Sequence, residues 1–466
     1  MKIKIKQIFK NKCFKKGFSI IEALVLIFVF SVVTLSFYSI FSVGSKYIVS
    51  SKNRIIAISL ANERMELLRN LAYDNVATVG GIPSGSINPD ESIAVGNKTF
   101  RITTDVHLYD DPTDGVFGGS PDDNVSNDYK LAEVTVYWGE EGDSEKVVFS
   151  SRFVPPGVEN SVGGGTFSIN SIDYAGNPVS NVTVNIYNDQ LSPTINYTTH
   201  TSSNGNLLLQ GVPGDVNQDY KITMSKSGYE TVVTYSPLTA GFLPYDAHSN
   251  IIEGALNQKT MIIDLLANLT INSKDAFDED LPNVGFELLG GRRLDDGTVE
   301  PGNYTFNQTV DTGSESEFSI SDVNAGKYAL DVETFSFASG DYVFWKVSLG
   351  DDLNANTINL VPGTSIVTDA IFMDRDIDSA YIKIKDSSTD VAIAGATVEL
   401  KNTILGYDVT RTTDKYGYVY FPEAITTPLQ NGETYDISVT ATNYQNNSDN
   451  IVINKFTAKI ISLVAN

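Results

Sequence analysis

Cysteine is almost missing from this chain: Cys13 is the single one among 466 residues. One cysteine cannot close a disulfide within the chain, so each domain has to stand on its hydrophobic core. Hydrophobic residues at 41% and aromatic residues at 10% are ample for that. Histidine occurs only at His107, His200 and His248. No two of these share a metal-ligand spacing, so they read as solvated structural side chains. Gly-x-Ser-x-Gly, a phosphate-binding loop and a cysteine nucleophile are also lacking. No catalytic residue, no cofactor and no metal is therefore expected, and the chain does not read as an enzyme. Positive charge is scarce as well, with 33 Lys and Arg against 57 Asp and Glu and a net charge of −24. Met1 to Gly17 holds seven lysines and no acid, which leaves −31 on the remainder (−24 less 7). Such a surface argues against nucleic acid or anionic lipid as a partner of the globular part. Proline is absent before Pro83.

The proline-free stretch holds the dominant feature. From Phe18 to Val43 there are 26 residues and one formal charge, Glu22. As a helix this run is about 39 Å long, enough to cross a hydrocarbon core of about 30 Å. A charge within such a span is costly and is by default a functional candidate. The lysine-rich flank places residues 1–17 in the cytoplasm and the rest outside. A cleaved secretory signal would have a shorter apolar region ending at a small-residue site.

Lys15-Lys16-Gly17-Phe18, the charge at Glu22 and the long apolar run stand in one register. Together they resemble the signal of type IV prepilins, shared by pili, type II secretion pseudopilins and competence filaments. The resemblance implies cleavage after Gly17 by a prepilin peptidase, N-methylation of Phe18, and a filament-assembly role for Glu22, the fifth mature residue. An uncleaved signal anchor is the plainer alternative, but an anchor requires neither Gly17 nor Glu22.

Beyond the apolar run the helix pattern continues to Leu71. Ile55, Ile58, Ala61, Met65, Leu68 and Ala72 make an amphipathic stripe, widened by Ile56, Leu60, Leu67 and Leu71, for packing on a domain. Asn62, Glu63, Arg64, Glu66 and Arg69 take the other faces. The run Ala61 to Asp74 is similar to the helix end of minor pilins. Alternation then predicts strands at Thr99 to Tyr109, Leu131 to Trp138 and Lys146 to Phe153, with a turn at Gly139 to Ser144 and an exposed loop at Asp110 to Asp128. Pro155-Pro156-Gly157 and Gly163-Gly164-Gly165 read as a flexible linker.

After the linker the sequence repeats itself. Late in each unit comes Tyr-x-Ile/Leu-x-Met/Val, at Tyr220, Tyr328 and Tyr435, spaced by 108 and 107 positions. An aromatic follows nine residues later, at Tyr229, Phe337 and Tyr444. That period suits a domain of about seven strands rather than a solenoid turn. With Gly176-Asn177-Pro178, Thr413 to Tyr418 and Gly228-Tyr229, these units resemble carboxypeptidase regulatory-like and Cna-B-like domains. The resemblance implies immunoglobulin-like β-sandwiches, mostly without catalytic residues. Some Cna-B-like domains join Lys to Asn covalently; here Lys385 and Asn454 are the candidates and Asp436 the nearest acid. Asp215-Val216-Asn217-Gln218-Asp219 starts like a calcium loop, but Tyr220 and Lys226 stand where Gly and an acid are needed. Asp374, Asp376 and Asp378, and likewise Asp110, Asp111 and Asp114, read as solvated acids.

The expected fold is an α+β pilin module, a long N-terminal transmembrane helix packed on a small antiparallel sheet, followed by three all-β sandwiches. The expected segments are a leader (1–17), the helix (18–72, with 18–43 in the membrane), a β head (73–154), a linker (155–165) and sandwiches at 166–260, 267–374 and 379–466. The expected function is a minor filament subunit that displays the sandwiches for adhesion. A secretion pseudopilin and an unassembled membrane-anchored surface protein are the alternatives. Its expected partners are the prepilin peptidase, other pilin subunits, the inner-membrane assembly machinery and a surface ligand. The protein would sit first in the inner membrane and later on an extracellular filament. Cleavage makes the first test. N-terminal sequencing of the envelope protein should begin at Phe18, and Gly17→Val should leave the leader in place.

Overall fold

The structure is a computed structural model that describes residues 19–111, 113, 115, 128–139, 145–156, 163–298, 300, 302–351 and 354–466. The chain divides into two compact units, Met1–Ser161 and Val162–Asn466.

The first unit is one helix on one sheet. Helix α1 (Ile20–Arg69) runs 50 residues, about 75 Å, without a break. Asn70 ends it: its backbone N–H reaches Glu66 O at 3.1 Å and its side-chain amide reaches the same carbonyl at 2.7 Å. Strands β1 (Asp90–Val95), β2 (Lys98–Tyr109), β3 (Tyr129–Tyr137) and β4 (Lys146–Phe153) form an antiparallel meander in that order. The stretch of α1 from Ala57 to its end, more than three turns, lies on this sheet. Ala57, Ala61, Met65 and Leu68 are buried against Phe100, Ile102, Val106, Val134, Val136 and Trp138. The two alanines let the helix backbone come close, while Met65 and Leu68 fill the gap. Each of those larger side chains contributes about 2 kcal/mol by burial. Lys130 is 2% exposed, and its ammonium donates to Tyr73 O at 2.9 Å and Asp74 O at 3.2 Å. This fastens the chain leaving the helix to β3. Burial holds the Lys130 ammonium below its ordinary pKa.

The second unit contains three pairs of sheets with a common plan. In each, the first strand pairs in parallel with the last: Gly165–Ile172 with Leu256–Ile262, Ala267–Asp275 with Ser365–Asp374, and Ser379–Asp386 with Phe456–Leu463. The facing sheets are centred on Thr183–Asn188, Val284–Arg293 and Thr397–Asn402, each antiparallel to the strand that carries the repeat tyrosine. Tyr220, Tyr328 and Tyr435 are at most 1% exposed. Each hydroxyl returns to the backbone just upstream. Tyr220 donates to Pro213 O at 2.7 Å, Tyr328 donates to Asn324 O at 2.9 Å, and Tyr435 accepts from Gln430 N at 2.9 Å. The ring is paid for by core packing, and the hydroxyl satisfies a polar group that the turn leaves over.

A buried hydroxyl also recurs beside the parallel pair. Ser171 donates to Val179 O at 2.7 Å and Ser273 to Leu281 O at 2.6 Å. In the third sandwich Ile384 stands at that point, and Thr413 donates instead to the matching carbonyl, Ile393 O, at 2.7 Å. The carbonyl keeps a donor although the residue supplying it changes.

Several expectations are corrected. Helix α1 ends at Arg69, before Leu71 and Ala72, and Ala72 is exposed. Ile55 is 68% exposed and lies off the buried stripe. Arg64, assigned to an outer face, is 8% exposed and paired with Glu91 of β1. Strand β1 itself carries too weak an alternation to be read. Val332 points outward because the register with Val284–Arg293 shifts between Gly285 and Glu287. The glycines at 163–165 do not all form a flexible joint. A Cβ on Gly164 would lie 2.5 Å from Val212 O, and one on Gly165 would lie 2.6 Å from Ile252 O. Both are close-packed parts of the first sandwich. The turn at 140–144 and most of the loop at 110–128 lie outside the described residues.

The tyrosine hydroxyls give a stability test. Tyr220→Phe leaves the core volume almost unchanged but strips Pro213 O of its donor. It should destabilise the first sandwich by about 1 kcal/mol, read as a lower denaturant midpoint for that sandwich's transition.

Candidate functional site

Helix α1 has two unlike halves. From Ser19 to Ile56 no side chain is buried. Ile20 is 81% exposed, Phe28 69%, Phe37 74% and Ile40 72%, all on a helix long and apolar enough to cross a membrane. Three hydroxyls of the span bond back to their own helix. Ser31 donates to Ile27 O at 2.7 Å, Thr34 to Phe30 O at 2.7 Å and Ser36 to Val32 O at 2.8 Å. Hydroxyls bonded back to the preceding turn leave no donor that requires water, which suits an apolar medium. Tyr38 and Tyr47 stand exposed toward the far end of the run, and Lys46, Lys52 and Arg54 bring the first positive charges beyond it. This is the order in which aromatic and basic side chains meet a membrane surface.

Glu22 lies in the first turn of α1, and its side chain is exposed. Ser19 is the N-cap: its Oγ accepts from Ile21 N at 3.3 Å and its carbonyl from Ala23 N at 3.0 Å. Ser19-Ile20-Ile21-Glu22 therefore has the Ser-x-x-Glu spacing of a capping box, with the carboxylate at the positive end of the helix dipole. The capping role of Ser19 is legible in that spacing, a local signal independent of the charge. Gly17 and Phe18, the cleavage and methylation positions, lie outside the described residues.

The other candidates resolve into structural roles. Lys385 is ion-paired with Asp390, while Asp436 and Asn454 are exposed. The buried Lys–acid–Asn arrangement required for a covalent cross-link is therefore not formed. Asp215 accepts from Asn188 Nδ2 at 3.0 Å, Asn217 N at 2.8 Å and Asp219 N at 2.9 Å, so it caps the start of its strand. Asp376 pairs with Lys455 at 2.7 Å, and Asp378 accepts from Asn431 at 3.0 Å. Among the described residues no group of three or more His, Cys, Asp or Glu could hold a metal ion. His248 Nδ1 lies 2.9 Å from Thr234 Oγ1, and burial lowers the pKa of its ring.

No family model matches the chain, and no curated protein does. Solved structures that align with it include the Bacillus anthracis TIE protein, at 13% identity and a TM-score of 0.19 over 72% of this chain and 59% of that one. The chain thus spans less than two thirds of that protein. A streptococcal ancillary pilin aligns at 12% identity and a TM-score of 0.18, over 65% of this chain and 99% of its own. The minor pilin of Streptococcus agalactiae aligns at 11% identity and a TM-score of 0.21, over 45% of this chain and 96% of its own. At these scores the likeness carries no argument, and the functional reading stands on the chain's own residues.

Proposed function

We propose that the chain is a minor subunit of a type IV pilin-like filament that displays its β-sandwiches as a non-catalytic binding surface. The observation that carries this reading is the division of α1. One half is bare, with an apolar run to Val43 that carries no charge but Glu22, and the other is sewn to a small sheet. A bare half suits lipid before assembly and neighbouring helices afterwards, because both offer an apolar surround. In this reading the prepilin peptidase cuts after Gly17, Phe18 is methylated, and the protein passes from the inner membrane to an extracellular filament. The freed amine at Phe18 lies four residues from Glu22 and supplies the cation that an otherwise costly carboxylate needs. Pairing with a neighbour's amine would reward correct axial register.

The capping geometry at Ser19 favours a second reading, in which Glu22 only starts the helix of an unassembled membrane anchor. Two variants separate these. Glu22→Ala should leave cleavage and membrane insertion intact and should deplete the protein at least tenfold from sheared filaments. Ser19→Ala, which removes the cap but not the charge, should be recovered like wild type. Equal loss in both variants would assign Glu22 to capping.

The sandwiches add mass that is hard to pack at every step of a shaft, which favours a sparse or terminal position. Deletion of Thr166 to Asn466 should leave cleavage and incorporation unchanged while attachment to surfaces falls. Equal attachment by truncated and full-length strains across several surfaces would reduce the sandwiches to a spacer.

A further inference from the structure

The three sandwiches share a plan, yet they differ in one interval. Tyr220 precedes the last strand of its sandwich, at Leu256, by 36 positions, and Tyr328 precedes Ser365 by 37. Tyr435 precedes Phe456 by only 21. The first two sandwiches therefore carry an extra segment between the tyrosine strand and the closing strand. In both, that segment makes most of the side-chain bonds to the following sandwich.

In the first sandwich the segment contains Glu230, whose side chain is 3% exposed. Its carboxylate accepts from Arg292 through both Nε, at 3.1 Å, and Nη2, and from Asn324 Nδ2, all three donors belonging to the second sandwich. The same guanidinium donates to Ile262 O at 2.5 Å and lies 3.5 Å from Asp246, also in the segment. A short backbone ladder crosses beside it. Tyr245 N donates to Leu294 O and Asp296 N to Leu243 O, each at 2.9 Å.

In the second sandwich the extra segment includes an edge strand, Tyr342–Val347, that pairs with Ser365–Asp374. From that strand Trp345 Nε1 and Lys346 Nζ donate to Asp414 of the third sandwich, at 3.2 and 3.0 Å. The indole packs against Tyr381 and Tyr420 at centroid distances of 6.1 and 5.8 Å. Tyr416 donates to Asp351 O at 2.6 Å, and Lys415 donates to Gly350 O. A Cβ on Gly350 would come within 2.4 Å of the Tyr416 hydroxyl, so the glycine makes room for that bond.

We propose that the segments 226–255 and 338–351 are adaptors that lock each sandwich to the next, so that the three move as one body. The physical grounds are burial and direction. The Glu230–Arg292 pair is desolvated and bidentate, a geometry that tolerates little rotation. The Trp345 contacts add an aromatic surface that water would have to enter for the joint to bend. Junctions between domains are by default free to move, and buried, directional bonds of this kind restrain them. The proposal does not depend on filament assembly.

Distance measurement between paired spin labels tests it, using the full chain in detergent micelles with Cys13→Ser as background. Exposed Thr194, Thr309 and Thr410 supply one label site per sandwich when replaced by Cys. The 194/309 and 309/410 pairs should each give a single narrow distance. Glu230→Ala combined with Arg292→Ala removes both buried charges together, so neither is orphaned. It should widen the 194/309 distribution at least twofold and leave 309/410 narrow. Trp345→Ala combined with Tyr416→Phe should do the reverse. The undisturbed pair in each variant reports that the other sandwiches remain folded. A broad distribution in the unmodified chain, or a 194/309 distance that stays narrow without Glu230 and Arg292, would overturn the proposal.

Discussion

One continuous helix has to satisfy two media, and the first unit follows from that constraint. Helix α1 contains no proline, and its only glycine, Gly44, has open space around it. Nothing in the sequence interrupts the hydrogen-bond ladder between the apolar run and the amphipathic end. The chain therefore changes surroundings by changing side chains along an unbroken backbone. In the bare half Ser31, Thr34 and Ser36 bond back to carbonyls of the preceding turn. The covered half puts Ala57 and Ala61 against the sheet and draws Arg64 into a pair with Glu91. The same backbone rigidity carries the head at a fixed place on the span.

In the second unit the repeated solution is a ring in the core whose polar end meets a turn. Tyr220, Tyr328 and Tyr435 do this with partners four to seven residues upstream. The spacing of the partner varies while the demand stays the same: a buried backbone group needs a bond, and the tyrosine brings one without giving up core volume. Ile384 and Thr413 illustrate the same rule from the other side. In the first sandwich Ser171 and Thr201 both donate to that carbonyl; in the third, where Ile384 replaces the serine, Thr413 alone supplies it. With Cys13 as the chain's only cysteine, such satisfied polar groups and the packed apolar layers hold each sandwich together.

The junctions depart from the repeat. Most of the bonds between sandwiches come from the segments in which the copies differ, and each junction uses its own chemistry. The first is a desolvated ion pair with a backbone ladder, and the second an aromatic and carboxylate contact. A repeat can duplicate a core, because every copy has the same inside to fill. It cannot duplicate a joint by the same means, since the two faces of a joint come from different copies and have to fit each other.

The long helix, its apolar run and the lone Glu22 could be read directly from the sequence, because they depend on local composition and on a period of 3.6 residues. Strands β2 and β4 and the three tyrosine strands were legible for the same reason, through alternation with a period of two. The Ser19 cap is also written locally, within the four residues from Ser19 to Glu22. The partners could not be read this way. Arg64 resembles any solvent-facing charge until β1, more than twenty residues away and nearly featureless, brings Glu91 beside it. Gly164 and Gly165 resemble a flexible linker until Val212 and Ile252 close over them. Glu230 and Arg292 are 62 positions apart, and no pattern in either stretch marks them as a pair. Sequence determined the elements, since propensity and periodicity act over a few residues. Tertiary structure alone decided which charges are buried together, because desolvation depends on what the rest of the chain places around them.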